Sequence, residues 1–290
     1  MKRIGFVGLG NMGYFMSKNL AKAGYEVNGY DINHDVFNKL QEFGIRKKTS
    51  IDEISKENEI IITMLPNSTA VKKIWTSILN NIRPQTLLVD CSTIDIETSK
   101  DIQKMANSKS VFSLDAPVSG GTIGAENGSL TFMVGGSNAA YERMLPLFKI
   151  MGNKSILCGD PGSGQATKMC NNLLLAITMS GLGEAIQLAN SQSLNMNKFY
   201  DVLSTSTGSC WALNNYCPIK NIGPSSPADN NFEPGFSSQL MLKDLSLALN
   251  AADKANLDLK LGRKVHNNYK KSIDDNKGNL DFSNIINQLD

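Results

Sequence analysis

The sequence predicts a two-part α/β architecture: a doubly wound sheet first, then a smaller all-α domain entered through one long interdomain helix. Three observations carry this. Short runs rich in Val, Ile and Leu alternate with helix-spaced segments through the first half of the 290 residues. The alternation stops after Gly164, beyond which only helical segments follow. A glycine-rich turn joins the first strand to the first helix.

The apolar runs at 4–7, 27–30, 60–65, 87–90, 111–115, 131–134 and 156–158 read as strands. Their near-continuous apolar character is that of strands covered on both faces. Helical spacing lies between them, as in Val36, Leu40 and Phe43, which share one face. Strand–helix–strand alternation implies parallel pairing with right-handed crossovers. From 165 to about 193 nothing breaks a helix except Gly181 and Gly183, and segments 197–206, 238–255, 260–273 and 281–289 also read as helices. The stretch 206–235 carries Pro218, Pro224, Pro227 and Pro234 and reads as a long loop with one helical turn. Loops of that length are usually functional or mobile. The expected division is therefore a sheet domain over 1–163 and a helical domain over 164–290.

Composition removes several classes of function. The chain has 29 Lys and Arg against 27 Asp and Glu, a net charge of +2, with no block of like charge. Nothing in that balance calls for a nucleic-acid or membrane-surface partner. Five Cys without a C-x-x-C pair fit neither a disulfide framework nor a zinc site, and suit a reducing compartment. Two distant His, His34 and His266, make multi-imidazole chemistry and a metal centre unexpected. The longest uncharged apolar-rich run, 169–183, is too short for a bilayer span, which needs about 20 residues, and reads as a buried helix. Strand-like sequence from Arg3 leaves no room for a targeting segment. The expected location is the cytoplasm, or a mitochondrial matrix if a presequence has been removed.

Gly8-Leu9-Gly10-Asn11-Met12-Gly13 follows the first strand and opens a helix. Glycines there permit the tight turn and a close backbone approach to a pyrophosphate, which sits on the helix N-terminus. Asp31 ends the second strand 18 residues after Gly13, where a carboxylate accepts from ribose hydroxyls. It would repel a 2′-phosphate, and no Arg follows it, so the spacing predicts a Rossmann-type domain that binds NAD rather than NADP. Leu65-Pro66 and Ser92-Thr93 close two further strands at the carboxyl edge, where ligands of open α/β sheets bind. Ser92-Thr93 also reads as the N-cap of the helix expected from Asp95 to Met105.

Four ordered motifs then extend over the whole chain: the glycine fingerprint, Asp115-Ala116-Pro117-Val118-Ser119-Gly120-Gly121, Gly162-x-Gly164-Gln165-x-x-Lys168-x-x-Asn171-Asn172, and Lys243-Asp244. In these the sequence resembles the β-hydroxyacid dehydrogenase family. The resemblance implies hydride transfer between a nicotinamide cofactor and a small 3-hydroxy acid, with Lys168 as general acid/base. It is strongest to the branch that oxidises 3-hydroxyisobutyrate to methylmalonate semialdehyde in valine breakdown. Lys168 is expected in the first turn of the interdomain helix, with Asn172 one turn on and on the same face. A lysine must lose basicity to serve as a base at neutral pH, which burial, a helix N-terminus and a second cation such as Lys243 would each favour. The bland alternative for Lys168 is a solvated surface charge, against which its apolar neighbours argue.

Ser119, Gly120 and Gly121 read as an anion nest for the substrate carboxylate, and Asn172 as a substrate amide contact. Asp115 is assigned to structure, as a cap or strand-end bond. Trp211 is expected as part of an aromatic substrate wall, the alternative being ordinary core packing. Phe236 is expected at the cofactor mouth, the alternative again being plain packing; the resemblance places Lys243 at cofactor and substrate, and Asp244 is expected either to contact the cofactor or to orient Lys243. One departure from the branch's pattern is Ala70, four residues after Pro66, where an Asn is common. The competing readings are a sibling reductase of tartronate semialdehyde or succinic semialdehyde, or a non-catalytic dinucleotide-binding module. A 6-phosphogluconate dehydrogenase would need a larger helical domain. The resemblance further implies a homodimer or homotetramer, with the site in the cleft between domains under the 206–235 loop.

Overall fold

A computed structural model describes residues 2–289. The first part follows the order β1 (Arg3–Val7), α1 (Asn11–Lys22), β2 (Glu26–Tyr30), α2 (Phe37–Leu40), β3 (Arg46–Lys47), α3 (Ile51–Glu57), β4 (Ile60–Thr63), α4 (Ser68–Asn81), β5 (Leu87–Asp90), α5 (Ile96–Asn107) and β6 (Phe112–Asp115). It continues with β7 (Val118–Ser119), α6 (Gly121–Glu126), β8 (Leu130–Gly136), α7 (Asn138–Met151) and β9 (Gly152–Gly159). These strands form one sheet in the order β3-β2-β1-β4-β5-β6-β8-β7, with β9 on the other side of β8. The strands from β3 to β6 in this order run parallel.

The doubly wound fold is as the periodicity predicts, and side chains alternate between two apolar layers. Ile60, Ile62, Leu87 and Val89 pack on one face with Ile4 and Phe6. Ile61 and Leu88 pack on the other with Val7, Trp75 and Ile102. Two strands escape the sequence reading because they are two residues long: β3 is Arg46–Lys47, both exposed, and β7 lies in the segment read as a turn. The sheet is also mixed. β8 runs antiparallel to β6 and β7, because β7 and the six-residue α6 carry the chain back without a full crossover helix.

The second part contains α8 (Ser163–Ser191), α9 (Met196–Thr205), α10 (Trp211–Tyr216), α11 (Ser238–Lys254) and α12 (Lys260–Asp274). The segment expected as a helix at 281–289 is a 3-10 helix, Phe282–Asn287. Within the 206–235 stretch lie α10 and a capped 3-10 turn, Pro227–Asn230. The helical core joins Ala176, Met179, Leu182 and Ile186 of α8 to Met241, Leu245, Val265, Tyr269 and Phe282. By length and composition alone α8 is apolar enough to cross a membrane; Ala176, Met179, Leu182 and Ile186 are spent on this core, while Leu174 and Leu188 stay exposed. Contacts divide the chain into two compact units that meet in sequence at Lys168 and Met169, inside α8.

Candidate active site

The glycine turn is built as its spacing requires. Gly8 has φ +90°, and a Cβ on it would lie 2.2 Å from the Met64 carbonyl oxygen. A Cβ on Gly13 would lie 1.9 Å from the Gly8 carbonyl oxygen, so only glycine lets α1 start this close to β1. Gly10 faces open space: a Cβ there would meet nothing within 4 Å. The N-terminus of α1 has no side-chain cap and no acidic residue in its first turn. Exposed Asn11 and half-buried Met12 begin the helix. Uncapped amides, a positive helix end and an open face are what a pyrophosphate needs, so the residues present fit a dinucleotide.

Asp31 stands immediately beyond β2. Its Oδ2 accepts from the Leu9 N–H at 2.6 Å and its Oδ1 from the Asn33 N–H at 2.7 Å. Two backbone donors fix the carboxylate beside the glycine turn, while each oxygen keeps further acceptor capacity. Half-buried Leu65 and exposed Pro66 follow β4. Ala70 is in the first turn of α4, and its N–H bonds to the cap residue Asn67 at 2.9 Å.

The loop after β5 is tied down more elaborately. Ser92 Oγ donates to Asp90 Oδ1 at 2.6 Å and accepts from the Leu65 N–H at 2.8 Å, which links the β4 and β5 loops. Thr63 also donates to Asp90 Oδ1, at 2.7 Å, and itself accepts from the Trp75 indole at 3.0 Å. Asp90 Oδ2 is buried with no hydrogen-bond partner, and burial pushes the carboxyl up to about 6. The helix that follows is capped by Asp95, which accepts from the Thr98 N–H at 2.7 Å, and not by Ser92 or Thr93. Thr93 thus lies between two loop anchors, outside the cap.

Ser119 ends β7, and Gly120 and Gly121 follow with φ of +130° and +62°. Gly120 precedes α6 with no side-chain cap. Asp115 is structural, as assigned from the sequence. It accepts from the Gly162 N–H at 2.8 Å, the Gln165 N–H at 2.9 Å and the Gln103 amide at 2.6 Å. Burial raises its carboxyl despite these bonds.

Lys168 lies in the second turn of α8, not the first, because the helix starts at Ser163. It is 7% exposed, which excludes a solvated surface charge. Asn172, one turn on, is also buried. Its Nδ2 donates to Asp244 Oδ2 at 2.6 Å and its Oδ1 accepts from Asn171 at 2.9 Å. Lys243 Nζ is 3.3 Å from Asp244 Oδ1. The helical unit therefore gathers Asn172, Lys243 and Asp244 into one cluster. Trp211 is 53% exposed and stacks on Tyr216, so it is no ordinary core residue. Phe236 packs edge-on against Phe282, which also stacks on Tyr216. Asp281, to which the sequence assigns no role, holds this group. Its Oδ2 accepts from the Tyr216 hydroxyl at 2.9 Å and from the Gly235 and Phe236 amides at 3.1 Å each.

Comparison with known proteins gives the site a family. The family model described as the NAD binding domain of 6-phosphogluconate dehydrogenase matches residues 3–159. That described as the NAD-binding domain of NADP-dependent 3-hydroxyisobutyrate dehydrogenase matches residues 162–289. A mitochondrial 3-hydroxyisobutyrate dehydrogenase of Drosophila melanogaster is 42% identical, over 97% of this chain and 87% of that one. The chain belongs to the 3-hydroxyisobutyrate dehydrogenase family. A probable 3-hydroxyisobutyrate dehydrogenase of Mycobacterium bovis is 40% identical over 100% of this chain and 98% of its own. A solved structure of the Mycobacterium tuberculosis 3-hydroxyisobutyrate dehydrogenase with L-serine superposes at a TM-score of 0.94. It is 40% identical and covers 99% of this chain and 98% of that chain. Membership of this family makes the protein an oxidoreductase that uses a nicotinamide dinucleotide.

Proposed function

We propose that the protein oxidises 3-hydroxyisobutyrate to methylmalonate semialdehyde with NAD, as a step of valine breakdown, with residues 1–163 binding the cofactor and 164–290 contributing to substrate binding and assembly. The observation that carries the chemistry is the burial of Lys168, on the motif by which the sequence resembles the family. Gly8, Gly10, Asn11, Met12 and Gly13 hold the pyrophosphate on the α1 N-terminus, and Asp31 accepts from the adenosine ribose. Leu65, Pro66, Thr93, Phe236, Lys243 and Asp244 contact the remainder of the dinucleotide. When bound, the nicotinamide supplies the hydride acceptor. The Lys168 amine takes the hydroxyl proton during oxidation and returns it in the reverse direction. Backbone amides of Ser119, Gly120 and Gly121 hold the substrate carboxylate, Asn172 contributes an amide N–H, and Trp211 supplies an apolar wall.

One of the matching family models is named for NADP-dependent enzymes. The Asp31 carboxylate, fixed by two backbone amides, argues for NAD in this chain, because a 2′-phosphate would meet a like charge there. The protein is expected as a homodimer or homotetramer, in the cytoplasm or in the mitochondrial matrix; several relatives are named as mitochondrial.

The test is a steady-state assay of NAD and NADP against 3-hydroxyisobutyrate, serine, glycerate and 4-hydroxybutyrate, with Lys168→Ala beside the wild type. Serine belongs in the panel because it is named with the solved mycobacterial relative. Lys168→Ala should lower kcat by about 10²–10⁴-fold, the usual contribution of a general acid or base. Near wild-type turnover in that variant would remove the lysine from the mechanism. Equal turnover of the panel would remove the narrow substrate and leave the class.

A further inference from the structure

We propose that Gln165 is a positioning residue: its side-chain amide clasps the main chain on both sides of Thr93 and so holds the Thr93 loop and the Lys168-bearing turns of α8 as one body. The proposal rests on the reading that Thr93 contacts the cofactor and Lys168 moves the proton. The residues of the clasp all lie within the first compact unit.

Gln165 is 0% exposed, and both ends of its carboxamide are used. Nε2 donates to the Ser92 carbonyl at 2.8 Å, and Oε1 accepts from the Ile94 N–H at 3.1 Å. The planar amide thus pairs with the main chain as a neighbouring strand would, with Thr93 bracketed between its two bonds. The backbone of the same residue is fixed from another direction. Its N–H donates to Asp115 Oδ2 at 2.9 Å, and that carboxylate also takes the Gly162 N–H at 2.8 Å. Gly164 lets the turn come this close: a Cβ there would lie 2.3 Å from the Met133 carbonyl oxygen and 2.8 Å from Asp115 Oδ2.

Lys168 follows Gln165 by three residues, so the two share a helix face. Ser92 continues the chain of bonds to Asp90 and to the Leu65 amide. A displaced Gln165 would therefore shift the lysine relative to the loops that hold the cofactor, and a misplacement of about 1 Å can cost about 10²-fold in rate. The adenosine end, held by the glycine turn and Asp31, would be untouched.

The experiment compares the wild type with Gln165→Met, which keeps the volume and deletes both bonds. Gln165→Asn, one methylene short of spanning both partners, carries the same expectations should the Met variant fail to fold. Asn28→Ala is the control, since it removes a buried bond to Asn58 at 2.8 Å elsewhere in the unit. Amide hydrogen exchange of the peptide holding Thr93 and Ile94 in the cofactor-free protein should rise by about tenfold or more in the Gln165 variants and stay unchanged in the control. With 3-hydroxyisobutyrate, kcat should fall by about 30-fold or more. The dissociation constant for NAD, read by fluorescence titration, should stay within about threefold, because the adenosine-end contacts persist. Unchanged exchange at Ile94, a kcat within about threefold of wild type, or an equal loss of kcat in Asn28→Ala would each overturn the proposal. If the wild type oxidises no 3-hydroxy acid, the functional reading fails by itself, and the exchange measurement alone decides the clasp.

Discussion

Two buried carboxylates at neighbouring strand ends illustrate how unequal the residues of this site are. Asp115 meets three donors, whereas Asp90 meets its donors through one oxygen and leaves Oδ2 bare. With the folded-state value raised by burial from 3.8 to about 6, the native state binds the proton more tightly than the unfolded chain. The contribution of Asp90 to stability is therefore fully present below pH 4 and is lost as pH rises towards 6, by up to about 3 kcal/mol at 1.36 kcal/mol per unit. Urea unfolding of wild type and Asp90→Asn should show a difference that narrows or reverses across that window. A difference independent of pH would refute the assignment. Asp31→Asn tests the second carboxylate. It removes the charge but keeps an acceptor for the Leu9 amide, so the ratio of kcat/KM for NAD over NADP should drop by about tenfold, or 1.4 kcal/mol. Asp31 and the glycine turn were legible because their spacing along the chain is local. Gln165 and Asp281 had no readable role, since the partners that reveal it are remote: 71 and 73 residues separate Gln165 from Ile94 and Ser92, and 65 separate Tyr216 from Asp281.

At the scale of elements, apolar runs marked every strand of four residues or more, even the largely exposed β9, and helical spacing marked α1, α5, α8, α9, α11 and α12, while α4 and α7 had no reading of their own. Periodicity missed β3 and β7, which are too short to carry a period, and it could not register that β8 runs backwards. Direction is set by what lies between strands, and a six-residue helix does not make a crossover. The two glycines of α8 show a contrast that sequence does not distinguish. A Cβ on Gly181 meets nothing within 4 Å, while one on Gly183 would lie 2.5 Å from Leu289 Cδ1 and 3.0 Å from Ile286 Cγ2. Gly181→Ala should stabilise the protein by about 0.5–1 kcal/mol through helix propensity, provided that face stays open in the assembly. Gly183→Ala should destabilise it by about 1–3 kcal/mol through overpacking. Thermal unfolding of the pair reads both, and equal signs would refute the contrast.

For the molecule as a whole, the near-neutral balance of 29 basic and 27 acidic side chains fits a protein whose anionic ligands are met by local devices. Light scattering should return two or four copies of the 31.6 kDa chain, and a monomer at micromolar concentration would refute the assembly expected for it. The strand order also has a bearing on how the chain is made. The strand nearest the N-terminus, β1, lies between β2 and β4, so its second neighbour is not synthesised until Thr63. Thereafter β5 adds to β4, β6 to β5, β8 to β6 and β9 to β8, each onto the edge its predecessor left. Apart from β7, the sheet can grow in the direction of translation, with each unfinished edge exposed only until the next strand emerges.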